Sequence, residues 1–111
     1  MYVSPCKYIH DMYTGLMQDA FWEWEDDKAE QNEREHGVTF REAQTVFQDP
    51  ARLEFYDETH SEDEGRFAVI GFSNKGRMLF VVFTPRAERT RLISARIAER
   101  DEEDMYEQGS Y

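Results

Sequence analysis

The sequence predicts an α+β fold: a small antiparallel β-sheet with two helices before it and one after it, in the order β-α-α-β-β-β-β-α. Three observations carry this. Residues 53–96 hold apolar runs of strand length, broken by turn-forming residues. Residues 26–48 and 97–108 carry helical periodicity or helix start and stop signals instead. The chain has 111 residues, 40% hydrophobic and 14% aromatic, which fits one domain with a modest core that needs no disulfide or metal.

The first element is Phe21 to Glu25. Trp22 and Trp24 alternate onto one face there, as in a short strand, and two such large rings read as core. A polar helix follows from Asp26 to about Glu35, with acidic residues in the first turn where the helix dipole favours them, and it stops at Gly37. Thr39-Phe40-Arg41-Glu42 has the capping-box spacing and opens a second helix with Phe40, Ala43, Val46 and Phe47 on one face. Asp49-Pro50 ends it.

Leu53 to Tyr56 reads as a strand and residues 57–65 as an acidic loop. Arg66 to Ser73, the turn Asn74-Lys75-Gly76 and Arg77 to Thr84 read as a hairpin. The run Met78 to Phe83 is apolar on both faces, which places that strand in the middle of the sheet, with Pro85 at its end or on an edge. Arg89 to Arg96 forms the last strand, with Thr90, Leu92, Ser94 and Arg96 expected on one face and Arg91, Ile93 and Ala95 on the other. Ile97 to about Gln108 closes the chain as a helix. Residues 1–19 show no clear period and read as an N-terminal extension to a domain spanning residues 20–111: either a loosely docked arm or a stretch upstream of a start at Met17.

Composition narrows the function classes. No run of about 18 apolar residues exists, so no membrane span is expected. The N-terminus lacks the basic and apolar regions of a secretory signal. Cys6 is the single cysteine, which rules out an internal disulfide and suits a reducing cytoplasm. The net charge of −11 taken whole argues against nucleic-acid binding, because phosphate contacts need Lys and Arg. The charge is unevenly placed, however. Residues 66–100 hold eight basic and two acidic side chains, a local +6, which leaves −17 for the remainder. Three lysines against ten arginines is a composition that suits a high-salt cytoplasm or reflects a lineage-wide bias.

Within the basic stretch, Arg66 opens one strand and Arg86 closes its hairpin neighbour, so the two are expected at the same end of the sheet. Arginine suits a phosphate because its planar fork offers paired donors and stays charged. The competing reading is ordinary surface ion pairing with the 24 acidic residues. Glu64, two residues before Arg66, is placed either to take a proton from a ribose 2′-hydroxyl or to hold an arginine. His36 precedes Gly37, where a capping role competes with proton transfer, and His60 sits in the acidic loop. That loop matches no zinc or calcium spacing, and the chain holds no G-x-x-x-x-G-K-[ST] phosphate loop and no H-E-x-x-H, so neither a metal nor another cofactor is expected.

Several pieces in order resemble the BrnT family of bacterial type II toxins. An F-E-W-D-like strand appears as Trp22-Glu23-Trp24-Glu25, followed at spacings of four by Lys28 and Asn32. The K-H-G-V-x-F element is Glu35-His36-Gly37-Val38-Thr39-Phe40, and V-F-x-D-P is Val46-Phe47-Gln48-Asp49-Pro50. The H-S…E-E-R-F element is His60-Ser61 with Glu64-Gly65-Arg66-Phe67, T-x-R is Thr84-Pro85-Arg86, and I-S-A-R is Ile93-Ser94-Ala95-Arg96, with Tyr106 as the closing tyrosine. The chain departs from the pattern at Glu35, where lysine is usual, at Gly65, where glutamate is usual, and in its N-terminal extension.

The resemblance implies a RelE-like ribonuclease fold and metal-independent RNA cleavage that inhibits translation. It implies function at Glu64, Arg66, Arg86 and Arg96, with His36 and Tyr106 as further candidates. It also implies neutralisation by a BrnA-like ribbon-helix-helix antitoxin, with operator DNA bound only through the toxin–antitoxin complex. A different class of reading is a non-catalytic antitoxin-binding module that acts as corepressor of its own operon.

Overall fold

The computed structural model describes residues 21–57 and 65–109. The order of elements is the expected one: β1 (Trp22–Glu23), α1 (Asp26–His36), α2 (Phe40–Thr45) running into a 3-10 turn at Val46–Gln48, β2 (Leu53–Tyr56), β3 (Phe67–Phe72), β4 (Met78–Arg86), β5 (Arg89–Ile97) and α3 (Arg100–Gln108). The five strands form one sheet in the order β1-β5-β4-β3-β2. All neighbours are antiparallel except β1, which joins β5 in parallel. The central position of β4 follows from its two-faced apolar run, as the sequence predicts. The N-terminal extension, His60 and Glu64 lie outside the described residues.

One face of the sheet carries the main core. Val69, Leu79, Val81, Phe83, Leu92 and Ala95 pack against Val38, Phe40, Ala43, Val46 and Phe47 from the α1–α2 layer. Both tryptophans belong to this layer: Trp22 meets Phe47 edge-on at 4.9 Å between ring centroids, and Trp24 meets Phe40 at 5.7 Å. Gly71 lies under the 3-10 turn, where an added Cβ would come within 3.0 Å of Val46 Cγ1, so the close approach of turn and strand requires glycine there.

α1 buries little apolar surface, and its one buried side chain is Asn32. That amide does the work of a missing strand. Its nitrogen donates to the carbonyls of Val38 at 2.9 Å and Ala95 at 2.8 Å, and its oxygen accepts from the Ala95 N–H at 3.0 Å. β1 pairs with β5 only at Thr90 and Arg91, so Asn32 satisfies backbone groups of β5 that β1 does not reach. The helix ends with Gly37 in the left-handed region at φ 69°, its N–H donating to Glu33.

α2 realises half of the expected capping box. The Thr39 hydroxyl accepts from the Glu42 N–H at 3.0 Å, but the Glu42 carboxylate turns inward rather than back to Thr39. It accepts from the Ser73 hydroxyl at 2.7 Å and from Arg77 Nε at 2.9 Å, and a second Arg77 nitrogen pairs with its other oxygen. This buried carboxylate ties α2 to the β3–β4 hairpin.

Three local expectations are corrected. The strand β4 passes through Pro85, which stands opposite Thr90, and ends at Arg86. The closing helix starts at Arg100 rather than Ile97, because Ile97 completes β5 and Glu99 forms a capping box with Glu102. The faces of β5 do not alternate strictly. Val82 stands opposite Ser94 but Phe83 stands opposite Leu92, so Ile93 is an extra residue that bulges the strand. Leu92 and Ala95, three apart, therefore both enter the core, and Arg91 and Arg96 share the opposite face.

Candidate functional site

Among the described residues, the sequence-derived candidates separate into two groups at opposite ends of the sheet. Arg66 and Arg86 lie at one end. Phe67 stands opposite Phe83, so Arg66 continues that register beside Thr84, two residues short of Arg86. The buried Thr84 hydroxyl donates to the Gly65 carbonyl and secures this approach.

The β4–β5 turn sharpens the same end. Arg86 stands directly opposite Arg89, with Ala87 and Glu88 between them. Ala87 takes φ 52°, the left-handed conformation that a two-residue hairpin turn demands. Like charges directly opposite each other repel. Here a carboxylate from the other end of the chain offsets the repulsion. Glu23, placed on β1 opposite Arg91, lies 2.9 Å from Arg91, 3.4 Å from Arg86 and 3.6 Å from Arg89. Arg91 also reaches Glu25 at 3.0 Å. The side chains of Glu23 and Arg91 are 21% and 20% exposed, whereas those of Arg86 and Arg89 are 43% and 51% exposed. Two accessible guanidinium groups thus stand over a better-buried acid–base pair.

His36, Arg96 and Tyr106 lie at the other end, beside the β3–β4 turn. Phe80 stands opposite Arg96 and lies six residues before Arg86 on β4, or ~20 Å at ~3.3 Å per strand residue. No single phosphate spans that gap. Arg96 is held by Glu102 of α3 through two bonds of 2.9 and 2.7 Å, and its guanidinium lies 4.5 Å from the centre of the Phe80 ring. The Tyr106 hydroxyl donates to Asp49 at 2.8 Å, and its ring meets Phe72 edge-on. Burial and the Asp49 carboxylate push the Tyr106 phenol up to about 12, so it stays a fixed donor at neutral pH. His36 is the last residue of α1, 3.9 Å from Glu35, and the next carbonyl, of Gly37, accepts from Arg77.

Sequence reasoning finds Arg66 and Arg86 but not Glu23, Arg89 or Arg91 as members of the cluster. The only signal for Glu23 is its alternation with Trp22 and Trp24, which puts it on the face away from the core. Its arginine partners follow only from the parallel β1–β5 pairing. Among the described residues no group of three or more His, Cys, Asp or Glu side chains is arranged to hold a metal ion. No helix among them is long and apolar enough to cross a membrane.

No individually curated protein matches the sequence. The crystal structure of the ribonuclease toxin BrnT from Brucella abortus is similar, with a TM-score of 0.56 and 21% sequence identity. The match covers 72% of this chain and 99% of that one, and at this identity it speaks for the fold. The family model described as the BrnT ribonuclease toxin of type II toxin–antitoxin systems matches residues 24–102, well over half of the chain. With the same ordered elements present in sequence and structure, the chain belongs to the BrnT family of ribonuclease toxins of type II toxin–antitoxin systems.

Proposed function

We propose that this chain is an endoribonuclease that cleaves RNA without a metal ion and thereby inhibits translation in the cytoplasm. The observation that carries the reading is the gathering of Arg86, Arg89 and Arg91 on Glu23, at the end of the sheet that also holds Arg66. In the reaction, the ribose 2′-oxygen forms a bond to the adjacent phosphorus and the bond from phosphorus to the 5′-oxygen breaks. Glu64 accepts the 2′-hydroxyl proton, a role that rests on the family resemblance, and the departing 5′-oxygen takes a proton from water. The phosphorane-like transition state gains charge on its non-bridging oxygens, and Arg66 and Arg86 are the groups set to stabilise it. Arg96 and Tyr106 serve this site indirectly by fixing α3 to the sheet. The products are a 2′,3′-cyclic phosphate and a 5′-hydroxyl.

The test is to incubate the purified chain with RNA in excess EDTA and identify the new ends. Cyclic phosphate ends that Arg86→Ala abolishes support the mechanism. Failure to cut, or 3′-hydroxyl ends, would overturn it. The partner proposed for this toxin is a BrnA-like ribbon-helix-helix antitoxin, which would bring the complex to operator DNA. Growth arrest on expression alone, relieved by co-expression of such a neighbour, is the expected result. Harmless expression with tight antitoxin binding would favour the non-catalytic corepressor reading.

A further inference from the structure

The arrangement at the β4–β5 turn raises a problem of charge. Arg86 and Arg89 form the last pair of the hairpin and repel each other, and Arg91 adds a third cation two residues on. Left alone, long flexible side chains of like charge splay into solvent. Glu23 counters this. It is fixed in place by the parallel β1–β5 pairing opposite Arg91, and its two oxygens lie within 3.6 Å of all three guanidinium groups. It lies just before the span 24–102 that the family model matches.

The stoichiometry says what else this cluster can hold. Each guanidinium carries five N–H donors, so one carboxylate occupies only a fraction of them. A phosphodiester carries one negative charge and two non-bridging oxygens, each able to accept from a guanidinium. The exposure contrast orders the parts: Glu23 and Arg91 are inner and Arg86 and Arg89 outer.

We propose that Glu23 is a positioning residue for RNA cleavage, which holds Arg86 and Arg89 together as a two-guanidinium cradle for the scissile phosphodiester, with Arg91 as its buttress. This deepens the ribonuclease reading and rests on it. Glu23 plays two opposed parts. Its charge competes with the phosphate and weakens ground-state binding. Its position aligns the cations for the transition state. Removing the charge therefore lowers kcat without raising KM, whereas a purely structural role would act through stability alone.

The test uses the full chain, a short RNA oligonucleotide, and separate kcat and KM for Glu23→Gln and Glu23→Asp, each variant also melted thermally. Glu23→Gln is expected to lose about tenfold or more in kcat with KM unchanged or lower, the signature of an interaction that matters mainly in the transition state. Glu23→Asp keeps the charge one methylene further back and should fall between Gln and wild type. A Gln variant within twofold of wild-type kcat overturns the proposal, as does a raised KM at unchanged kcat. If Glu23→Gln does not fold, Glu23→Asp decides alone: reduced kcat at wild-type melting temperature supports the role, and wild-type kcat overturns it. Absence of cleavage by the wild-type chain overturns the ribonuclease reading and this role with it, whereas wild-type cleavage retained in the variants counts against Glu23 alone.

Discussion

Arg96 grips Glu102 with two nitrogens on two oxygens, at 2.9 and 2.7 Å, and so fastens the last helix to the last strand. Glu102 is 8% exposed and also accepts from the Glu99 N–H at 2.8 Å, so a single carboxylate both caps α3 and docks it. Removing either partner leaves a mostly buried charge without its counter-charge. We expect Arg96→Ala to cost about 1–3 kcal/mol in urea denaturation, below the value for a fully buried pair because Arg96 retains some solvent contact. Cleavage per folded molecule should stay within about threefold of wild type, since the free-energy loss falls on stability rather than on the transition state. A fully stable Arg96→Ala variant that no longer cuts RNA would return Arg96 to the catalytic group.

Asn32 is expected to be the most sensitive position of α1. Its amide makes three hydrogen bonds, two of them to the same residue of β5. Asn32→Asp replaces the donating nitrogen with an acceptor facing two carbonyl oxygens, and buries a charge as well. A loss of about 3 kcal/mol or more is expected in chemical denaturation, and about 2–3 kcal/mol for Asn32→Ala, which leaves three backbone groups unsatisfied. A loss below about 1 kcal/mol in both would mean that water can replace the amide.

The order of elements was legible because it depends on local signals: the Gly37 stop, the Thr39 cap and the apolar run of β4 act through neighbours in sequence. The site was legible only in part. Hairpin geometry suffices to bring Arg66 and Arg86 to one end. It says nothing of Glu23, whose meeting with Arg91 joins positions 68 residues apart. Alternation along β5 fails at Ile93 because one extra residue inverts the faces of everything beyond it. The family resemblance alone links Arg96 to the cluster, and spacing along β4 and β5 separates them. The carboxylate pairing of Arg96 arises from a helix whose start, at Arg100, lies three residues later than periodicity suggested.

The strained turn offers a gain of stability. Ala87 holds φ 52°, where a Cβ is penalised by about 1–2 kcal/mol and glycine is not. Glycine also loses more entropy on folding, so the net benefit of Ala87→Gly should be about 0.5–1 kcal/mol. Because the turn geometry that sets Arg86 opposite Arg89 is unchanged, RNA cleavage should match wild type. A lower urea midpoint would show that the alanine side chain makes contacts worth more than its strain.

The dependence of stability on pH should have an acid limb and an alkaline limb with different owners. On the acid side, Arg77 and Ser73 hold Glu42 below its ordinary value of 4.5 despite its burial. Burial alone would raise Asp49 and Glu102, but it is outweighed by the Phe72 and Ala51 N–H groups and the Tyr106 hydroxyl at Asp49, and by Arg96 and the Glu99 N–H at Glu102. The unfolded chain therefore takes up these protons at higher pH than the folded one, and stability falls as pH drops from about 5 through the folded values. On the alkaline side the sign reverses. The folded Tyr106 keeps its proton to about 12, against an ordinary 10.0, so the unfolded chain releases it first and stability is lost as pH rises between these values. Tyr106→Phe should lower stability at pH 7 by about 1 kcal/mol through the lost hydrogen bond to Asp49. It should also flatten the alkaline limb relative to wild type while leaving most of the acid limb in place. Urea midpoints of both proteins from pH 3 to 11.5 measure this difference directly, with the remaining tyrosines and lysines common to the two. Parallel alkaline limbs would show that the phenol and Asp49 do not meet in solution as they do here, and the docking of α3 on β3 would need another cause.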